Sequence, residues 1–179
     1  MKTRRPVSML AALAVAACAA WAQTPEGPPK PTAEHKKLDW FAGTWSGKGE
    51  AKPSPMMPGG PMTWTEKCEW FEGGFSLVCR SEGKGPAGPM KGLSVIGYNP
   101  EKKVYTFYGV DNSGWSGLSE GTTDGKKWTY TSTETMGGQT MQGRFTLTPV
   151  SDKKMTFVWE MSQDGKTWTS LMTGESTKP

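Results

Sequence analysis

The chain has 179 residues, of which 35% are hydrophobic and 21% are charged, and its formal net charge is +4. This composition is typical of one globular domain with a core of its own, and it excludes a disordered or membrane-embedded chain. Without residues 1–22 the chain has 18 basic and 17 acidic residues, so we expect no nucleic-acid partner and no electrostatic attraction to membranes.

Residues 1–22 have the pattern of an export signal, a short basic segment followed by about 11 apolar residues, too few to cross a hydrocarbon core of about 30 Å. The small residues Ala20 and Ala22 predict cleavage before Gln23, which would release the protein into the periplasm or the medium. Cys18 also fits a lipobox, and a lipid anchor at this cysteine is the alternative. No segment is predicted to span the membrane.

A linker and a short helix are predicted to precede a β-domain. Residues 23–32 are rich in proline and are expected to form an extended linker before a domain that covers residues 33–179. The domain begins with a short helix, N-capped by Thr32, that carries Leu38 and Phe41 on one face. We expect that face to close one end of a barrel.

From residue 43 onward, the helical period gives way to short runs in which aromatic and β-branched residues alternate with polar ones. No helix-length segment lies between these runs, which argues against a parallel sheet. The pattern predicts an all-β fold, an antiparallel up-and-down barrel of about ten strands. The predicted strands are 43–51, 62–72, 75–82, 90–98, 103–111, 115–123, 126–134, 139–148, 154–162 and 167–175.

The Gly73-Gly74 pair predicts a hairpin whose register can be calculated. A two-residue turn there places Cys68 opposite Cys79. The two cysteines would form a hydrogen-bonded pair with Cα atoms about 5.5 Å apart, which is within disulfide range. We therefore predict a Cys68–Cys79 disulfide, as expected in an oxidising compartment.

The Asp-Gly pair at 124–125 predicts a hairpin in which Trp128 lies over Gly121 and Tyr130 over Ser119, so that each large ring faces a small neighbour. The Asp-Gly pair at 164–165 predicts another hairpin with an apolar inner face and a polar outer face. The inner set of this hairpin is Met155, Phe157, Trp159, Met161, Trp168 and Met172.

Four sequence features identify a family resemblance: Gly43-Thr44-Trp45, Gly97-Tyr98-Asn99-Pro100, Val110-Asp111, and Glu120-Gly121 followed by Asp124-Gly125. In this order and spacing they resemble a family of bacterial domains of unknown function that is lipocalin-like and related in shape to the nitrobindin-type barrels. The resemblance covers nearly all of residues 34–175. It implies a calycin-type antiparallel barrel of about ten strands with an internal cavity.

The sequence departs from these relatives in two respects. They usually end in an aromatic-Thr-Arg pattern, where this chain has Leu171-Met172-Thr173-Gly174-Glu175, so no role of that arginine is carried over. The nitrobindin-type proteins hold haem through a histidine on a late strand, whereas the single histidine here is His35. We therefore expect no haem and no other cofactor.

A single histidine excludes multi-histidine metal sites within one chain, and that histidine, His35, lies on the short helix predicted at the barrel rim, so we expect a binding protein and not an enzyme. An enzyme would need buried carboxylates, for which Asp111 and Glu120 are the candidates. Strand alternation aims Asp111 inward, where it could fix a polar group of a ligand. Residues 111–114 also have the composition of a turn in which the aspartate binds its own backbone. Arg144 is predicted to point outward.

The inner faces of the predicted strands carry aromatic rings that either line a cavity or fill a small barrel. We expect a small, mostly apolar ligand, with the loop from Lys52 to Met62 as a lid. The candidate ligand-binding residues are Trp70, Tyr105, Phe107, Asp111, Trp128, Tyr130 and Trp159. Two other functions stay open: an envelope-associated structural or partner-binding module, and a copper binder that uses Met56, Met57 and Met62.

Overall fold

The computed structural model describes residues 27–54, 58–136 and 138–179, apart from the side chain of Met136. The predicted signal peptide with Cys18, the first part of the linker, and two methionines of the copper hypothesis, Met56 and Met57, lie outside these residues. Pro31–Pro179 form one compact unit. Neither described helix is long and apolar enough to cross a membrane.

A short helical segment comes first. Helix α1 spans Ala33–Lys37 with Thr32 as its N-cap, and a 3-10 turn over Leu38–Phe41 follows directly. Leu38 and Phe41 are buried, as their spacing predicted. We call residues 33–41 the plug, because their apolar face closes one end of the barrel.

Ten antiparallel strands form the barrel, which closes where β1 pairs with β10. Each strand pairs with its neighbours in the chain, so the predicted up-and-down topology is confirmed. The strands are β1 Gly43–Ala51, β2 Gly60–Trp70, β3 Ser76–Gly85, β4 Gly88–Asn99, β5 Val104–Asp111, β6 Ser116–Thr123, β7 Trp128–Met136, β8 Gln139–Ser151, β9 Lys154–Ser162 and β10 Thr169–Thr177.

The closed end of the barrel is filled by large apolar side chains. Successive residues of a strand point to opposite faces, so every second side chain faces the interior. Where β1 begins, the inward residues pack on the plug. This buried cluster contains Leu38, Phe41, Trp45, Leu77, Tyr105, Trp128, Leu147, Met155 and Phe157. This cluster fills the closed end, and Ala51, Met62 and Met161 are buried towards the other end of the barrel.

Hydrogen bonds fasten the plug to the strands. The Trp45 indole Nε1 donates to the Phe41 carbonyl at 2.9 Å, and the Tyr105 hydroxyl donates to Glu34 Oε2 at 2.6 Å. His35 is buried between the plug and the barrel, where its Nδ1 accepts the Thr32 backbone amide at 3.1 Å. The single histidine is thus part of the closure.

The hairpin of β2 and β3 carries the disulfide. Cys68 pairs with Cys79 as predicted, and their sulfurs are bonded. The pair is not of the predicted hydrogen-bonded type, since its Cα atoms are 4.0 Å apart, a separation typical of a non-hydrogen-bonded pair. The loop explains the difference: the Phe71 amide donates to the Ser76 carbonyl, so the turn has four residues instead of two. Hydrogen-bonded and non-hydrogen-bonded pairs alternate along the hairpin, and the longer turn moves this alternation by one residue, so that the two cysteines form a non-hydrogen-bonded pair.

The hairpin of β6 and β7 is longer than predicted. Tyr130 pairs with Gly121, and Trp128 pairs with Thr123. This register differs by two residues from the predicted one, because the Asp124 carboxylate accepts the amides of residues 126 and 127 at 2.9 Å and so holds a four-residue loop. A shift of two keeps every side chain on its face, and both rings are buried inside the barrel.

The hairpin of β9 and β10 differs from its predicted register by one residue, which reverses the faces near the turn. Asp164 again accepts two loop amides, here at 2.8 and 2.7 Å, and lengthens the turn. Trp168 was predicted to point inward. Its ring instead lies under the Arg144 guanidinium, with 4.0 Å between the ring centroid and Arg144 Cζ. A bulge between Ser170 and Met172 restores the predicted faces further along β10.

Candidate functional site

The inward positions in the middle of the barrel and towards its open end differ from those at the closed end. On β2 to β8 they are mostly small, and two are acidic. These residues are Glu66, Ser81, Gly92, Ser94, Gly109, Gly117, Ser119, Ser132, Glu134 and Gly143. Small side chains on the inner face leave space within a barrel that large side chains would otherwise fill.

Four aromatic rings in this region face inward but are only partly buried. They belong to Trp64, Phe107, Phe145 and Trp159. At the closed end, the rings of Trp45 and Trp128 are buried, whereas those of Trp70 and Tyr98 are partly buried as well. A ring on the inner wall of a closed barrel is accessible to water only from the interior, so these four rings border interior space. We call the interior between these rings and Glu66 and Glu134 the chamber.

Glu66 lies in the middle of β2 with its carboxyl group inside the barrel. A carboxylate oxygen lies within 4.8 Å of the sulfurs of Cys68 and Cys79. Burial raises the pKa of Glu66, and no hydrogen bond or ion pair to another described residue offsets this effect. The residue nevertheless keeps partial accessibility. Both observations fit a carboxyl group that is surrounded by protein and faces the chamber.

These three residues are the one group of three metal-ligating side chains among the residues that the structure describes. Cys68 and Cys79 are bonded to each other and offer no thiolate. Glu66 alone is too little to hold a metal ion, so in the oxidised protein the cluster is a carboxyl group beside a disulfide.

Tyr130 contributes a second polar atom without a partner. The residue is buried on the inner face of β7, with its ring centroid 6.2 Å from that of Phe107. Its hydroxyl has no hydrogen-bond partner among the described residues. Burial raises the pKa of Tyr130, so the hydroxyl keeps its proton and is available as a donor.

A third polar group lies above Gly143 on β8. Ser132 Oγ donates to Glu134 Oε1 at 2.9 Å. A Cβ atom at Gly143 would be 2.5 Å from Ser132 Oγ and 3.8 Å from the indole Nε1 of Trp159, so only glycine lets these groups come together. The Trp159 indole N–H finds no acceptor in the described part of the chain.

Trp115 covers the inner wall at the open end. Gly109 and Gly117 pair across β5 and β6, and a Cβ atom on either would lie 2.8 or 2.7 Å from the Trp115 ring. The ring is 38% exposed, so it is in contact with both solvent and interior. Sequence reasoning missed this residue, although the two inward glycines were a signal that a large ring lies over them.

Residues 52–59 connect β1 to β2 at the end of the barrel away from the plug, where Trp115 also lies. They form most of the predicted lid, and Pro55, Met56 and Met57 lie outside the described residues. Met62, which the prediction also assigned to the lid and to a copper site, is a buried residue of β2. The connection between β1 and β2 is therefore shorter than predicted, and its role as a lid stays a prediction.

The candidate ligand-binding residues divide between the two ends. Phe107, Tyr130 and Trp159 border the chamber or contribute polar atoms to it. Trp70, Tyr105 and Trp128 lie with the plug: Trp70 donates to Asp39 at 3.1 Å, Tyr105 binds Glu34, and Trp128 packs on Phe41 with ring centroids 4.9 Å apart. These three rings belong to the closure of the barrel.

The structure decides between the two interpretations of Asp111. It is exposed in the β5–β6 turn, where its Oδ1 accepts the amides of Ser113 at 2.8 Å and Trp115 at 3.2 Å, so the predicted turn is confirmed and the inward placement is wrong. Strand alternation assumes an extended backbone, which ends at this residue. Glu120, its proposed partner in an enzyme, pairs with Lys102 at 2.6 Å on the outer wall. The two carboxylates therefore share no cavity.

Two depressions of about 410 and 750 Å³ lie on the barrel, and Trp64, one of the four rings of the chamber, belongs to the lining of the smaller one. Both are wide open to solvent, and neither is lined by Glu66, Tyr130 or Glu134.

The comparison with known proteins agrees with the fold. Residues 30–178 match a family described as "Protein of unknown function (DUF1579)". No curated protein matches the sequence. Among solved structures, the chain is similar to the crystal structure of Rv2717c from M. tuberculosis, with a TM-score of 0.59 at 10% identity over 83% of this chain and 98% of that chain. At this identity the similarity shows the fold alone.

Two other barrels have lower scores. One is EF1p2_mFAP2b bound to DFHBI, with a TM-score of 0.45 at 10% identity, over 81% of this chain and 98% of that chain. The other is a redesigned beta barrel, b11L5F_LGL, with a TM-score of 0.40 at 15% identity, over 79% and 94%.

Proposed function

Because the chain belongs to the DUF1579 family of proteins of unknown function, we propose its role from the interior of the barrel: it binds a small, mostly apolar ligand in the chamber. The observation that carries this proposal is the partial accessibility of Trp64, Phe107, Phe145 and Trp159 on an inner wall. The rings of Trp45 and Trp128, which fill the closed end, are buried by contrast. Rings that border a space offer it an apolar surface.

The polar atoms of the chamber are few and lack partners, as expected of a binding site. Small-molecule sites combine an apolar lining with a small number of polar groups that orient the ligand. The Glu66 carboxyl group and the Tyr130 hydroxyl are such groups, since neither has a partner among the described residues. A buried polar group without a hydrogen bond costs about 1–3 kcal/mol, and a ligand that supplies the bond removes this cost.

We propose binding without catalysis. The chamber holds one hydroxyl–carboxylate contact, Ser132 to Glu134. His35 lies in the plug at the other end of the barrel, so no imidazole reaches this serine to act as its general base. The site of action is proposed to be the periplasm or the medium, and the Cys68–Cys79 disulfide supports a compartment outside the cytosol. Mass spectrometry of the native N-terminus tests this, since a chain that begins at Gln23 excludes a lipid anchor at Cys18.

Ligand binding is tested with the neutral fluorescent probe N-phenyl-1-naphthylamine. We expect its emission to rise in the protein and the tryptophan emission to fall. Trp159→Phe should reduce the tryptophan response because this ring borders the chamber. Trp168→Phe, on the outer wall, is the matched control and should leave the response unchanged. Absence of any response to neutral apolar probes, together with an experimental structure whose interior is filled by side chains, would contradict the proposal.

A further inference from the structure

The charges on the barrel are separated between its two faces. Every Lys and Arg within the ten strands occupies an outward position: Lys48, Lys67, Arg80, Lys84, Lys91, Arg144 and Lys154. Several of these cations pair with acids on the outer wall, as Arg144 does with Glu160 and Lys154 with Glu175. The described inner face carries the carboxyl groups of Glu66 and Glu134 and no cation. The chamber is therefore acidic, although the chain as a whole is not.

The two acids lie on opposite walls. Glu66 is on β2 and Glu134 on β7, and these strands are five places apart in either direction around a ring of ten. The Glu134 carboxylate accepts one hydrogen bond, from Ser132, whereas the Glu66 carboxyl group accepts none from the described residues. A buried carboxylate without a counter-charge is unfavourable, and a ligand that brings a positive charge removes that cost.

The aromatic rings between Glu66 and Glu134 also favour a positively charged ligand. The rings of Trp64, Phe107, Phe145 and Trp159 lie on the inner face and are partly accessible. Aromatic faces carry negative electrostatic potential and attract ammonium groups, most strongly where water is excluded. An anionic ligand would meet two carboxylates and four such rings. A neutral ligand would leave Glu66 without a partner.

We propose that the ligand of the chamber is a small apolar molecule that carries an ammonium group, either a protonated amine or a quaternary ammonium, whose charge lies next to Glu66. This inference rests on the proposed function, because it requires that the chamber binds a small molecule. The Tyr130 hydroxyl, a buried donor without a partner, adds a contact for an oxygen or nitrogen acceptor elsewhere on the ligand.

Three naphthalene compounds with the same ring and different charges test the proposal: 1-naphthylmethylamine, 1-naphthalenemethanol and 1-naphthoate. Dissociation constants are measured at pH 8 by displacement of N-phenyl-1-naphthylamine from the intact chain. We expect the amine to bind about tenfold more tightly than the alcohol, an effect at the lower end of what a hydrogen bond to a charged group such as Glu66 provides. The carboxylate should bind most weakly. If the alcohol and the amine bind equally, or the carboxylate binds most tightly, the inference is wrong while the proposed function stands.

Variants of the acids complete the test. Glu66→Gln should remove the preference for the amine over the alcohol, and its thermal melt shows whether the variant is folded. Glu82→Gln, at an exposed position on the outer wall of β3, is the matched control and should keep the full preference. If the wild-type protein binds none of the three compounds and does not bind the neutral probe, both the proposed function and this inference are wrong.

Discussion

Glu66 and Cys68 lie two residues apart on the inner face of β2, and a Glu66 carboxylate oxygen is within 4.8 Å of the Cys68 sulfur. The disulfide joins this strand to β3 at the point where the carboxyl group enters the chamber. The bridge thus holds the backbone that presents Glu66. An unpartnered acid is kept next to one of the most constrained points of the barrel.

Glu66→Gln is expected to stabilise the protein at neutral and higher pH. Burial raises the pKa of Glu66 above its ordinary value of 4.5, so the folded state favours the neutral carboxyl group. The stability that this group contributes is complete below pH 4.5 and is lost as the pH rises through the raised pKa. The neutral glutamine avoids this loss. We expect a gain of about 1 kcal/mol, or roughly 2–4 °C in melting temperature, at pH 8.

Thermal melts of both proteins between pH 4 and pH 8 check this prediction. The two melting temperatures should converge at the acid end and diverge as the pH rises. Glu82→Gln, on the outer wall, should show no such divergence. A Glu66→Gln protein that is less stable than the wild type at every pH would mean that the carboxylate has a stabilising partner.

Removal of the disulfide should lower stability and preserve binding. Cys68 and Cys79 are 11 residues apart in sequence, and closing a loop of this length stabilises a fold by about 2–3 kcal/mol on the loop-entropy model. Cys68→Ala with Cys79→Ala is therefore expected to melt at a lower temperature by calorimetry. At low temperature it should still bind the neutral probe. An unchanged melting temperature would show that the bridge does not constrain the unfolded chain.

Tyr105→Phe is expected to loosen the plug. The Tyr105 hydroxyl donates to Glu34 Oε2 at 2.6 Å and so links α1 to β5. Glu34 is partly exposed, so we expect a loss of only about 1 kcal/mol, measured by urea unfolding. Tyr108→Phe removes the hydroxyl of an exposed residue on the outside of the same strand and serves as the control. Equal effects of the two substitutions would contradict a role for the Glu34 contact.

Trp115→Ala is expected to change the rate of binding more than the affinity. The ring lies over Gly109 and Gly117 at the open end and is 38% exposed, which places it at the entrance to the chamber. Without it, association and dissociation of the neutral probe should both be about tenfold faster in stopped-flow measurements, as expected when a gating group is removed. Leu118→Ala, on the exposed outer wall, should leave both rates unchanged. A large loss of affinity with unchanged rates of association would instead make Trp115 part of the binding surface.

The architecture could be predicted from the sequence because its signals are local. Alternation of apolar and polar residues depends on neighbours two positions apart, and turn signals separate the runs, so all ten strands were found. The disulfide followed from the Gly73-Gly74 hairpin. Registers failed where a side chain altered a loop: Asp124 and Asp164 each accept two backbone amides and lengthen a turn that had been taken as two residues. Trp168 was placed on the wrong face for this reason.

The chamber could be predicted only in part. The inward positions of Phe107, Tyr130 and Trp159 were predicted correctly because these residues alternate with polar residues along their strands, and their role in ligand binding stays a prediction. Glu66 was missed, although it shares a face with Cys68, two residues away, and the disulfide fixes that face. The position of Trp115 depends on how a turn folds back over two glycines of neighbouring strands, and the inward Gly109 and Gly117 are the signal that the local sequence offers for it.

The plug closes one end of the barrel. With this end filled by Leu38, Phe41 and the rings around them, the proposed ligand would leave the chamber by the route through which it entered. A second ligand molecule could not displace it from the closed end. The rate at which a competitor replaces a bound molecule should therefore stop rising once the competitor is abundant, and it should level off at the rate at which the occupant escapes by itself.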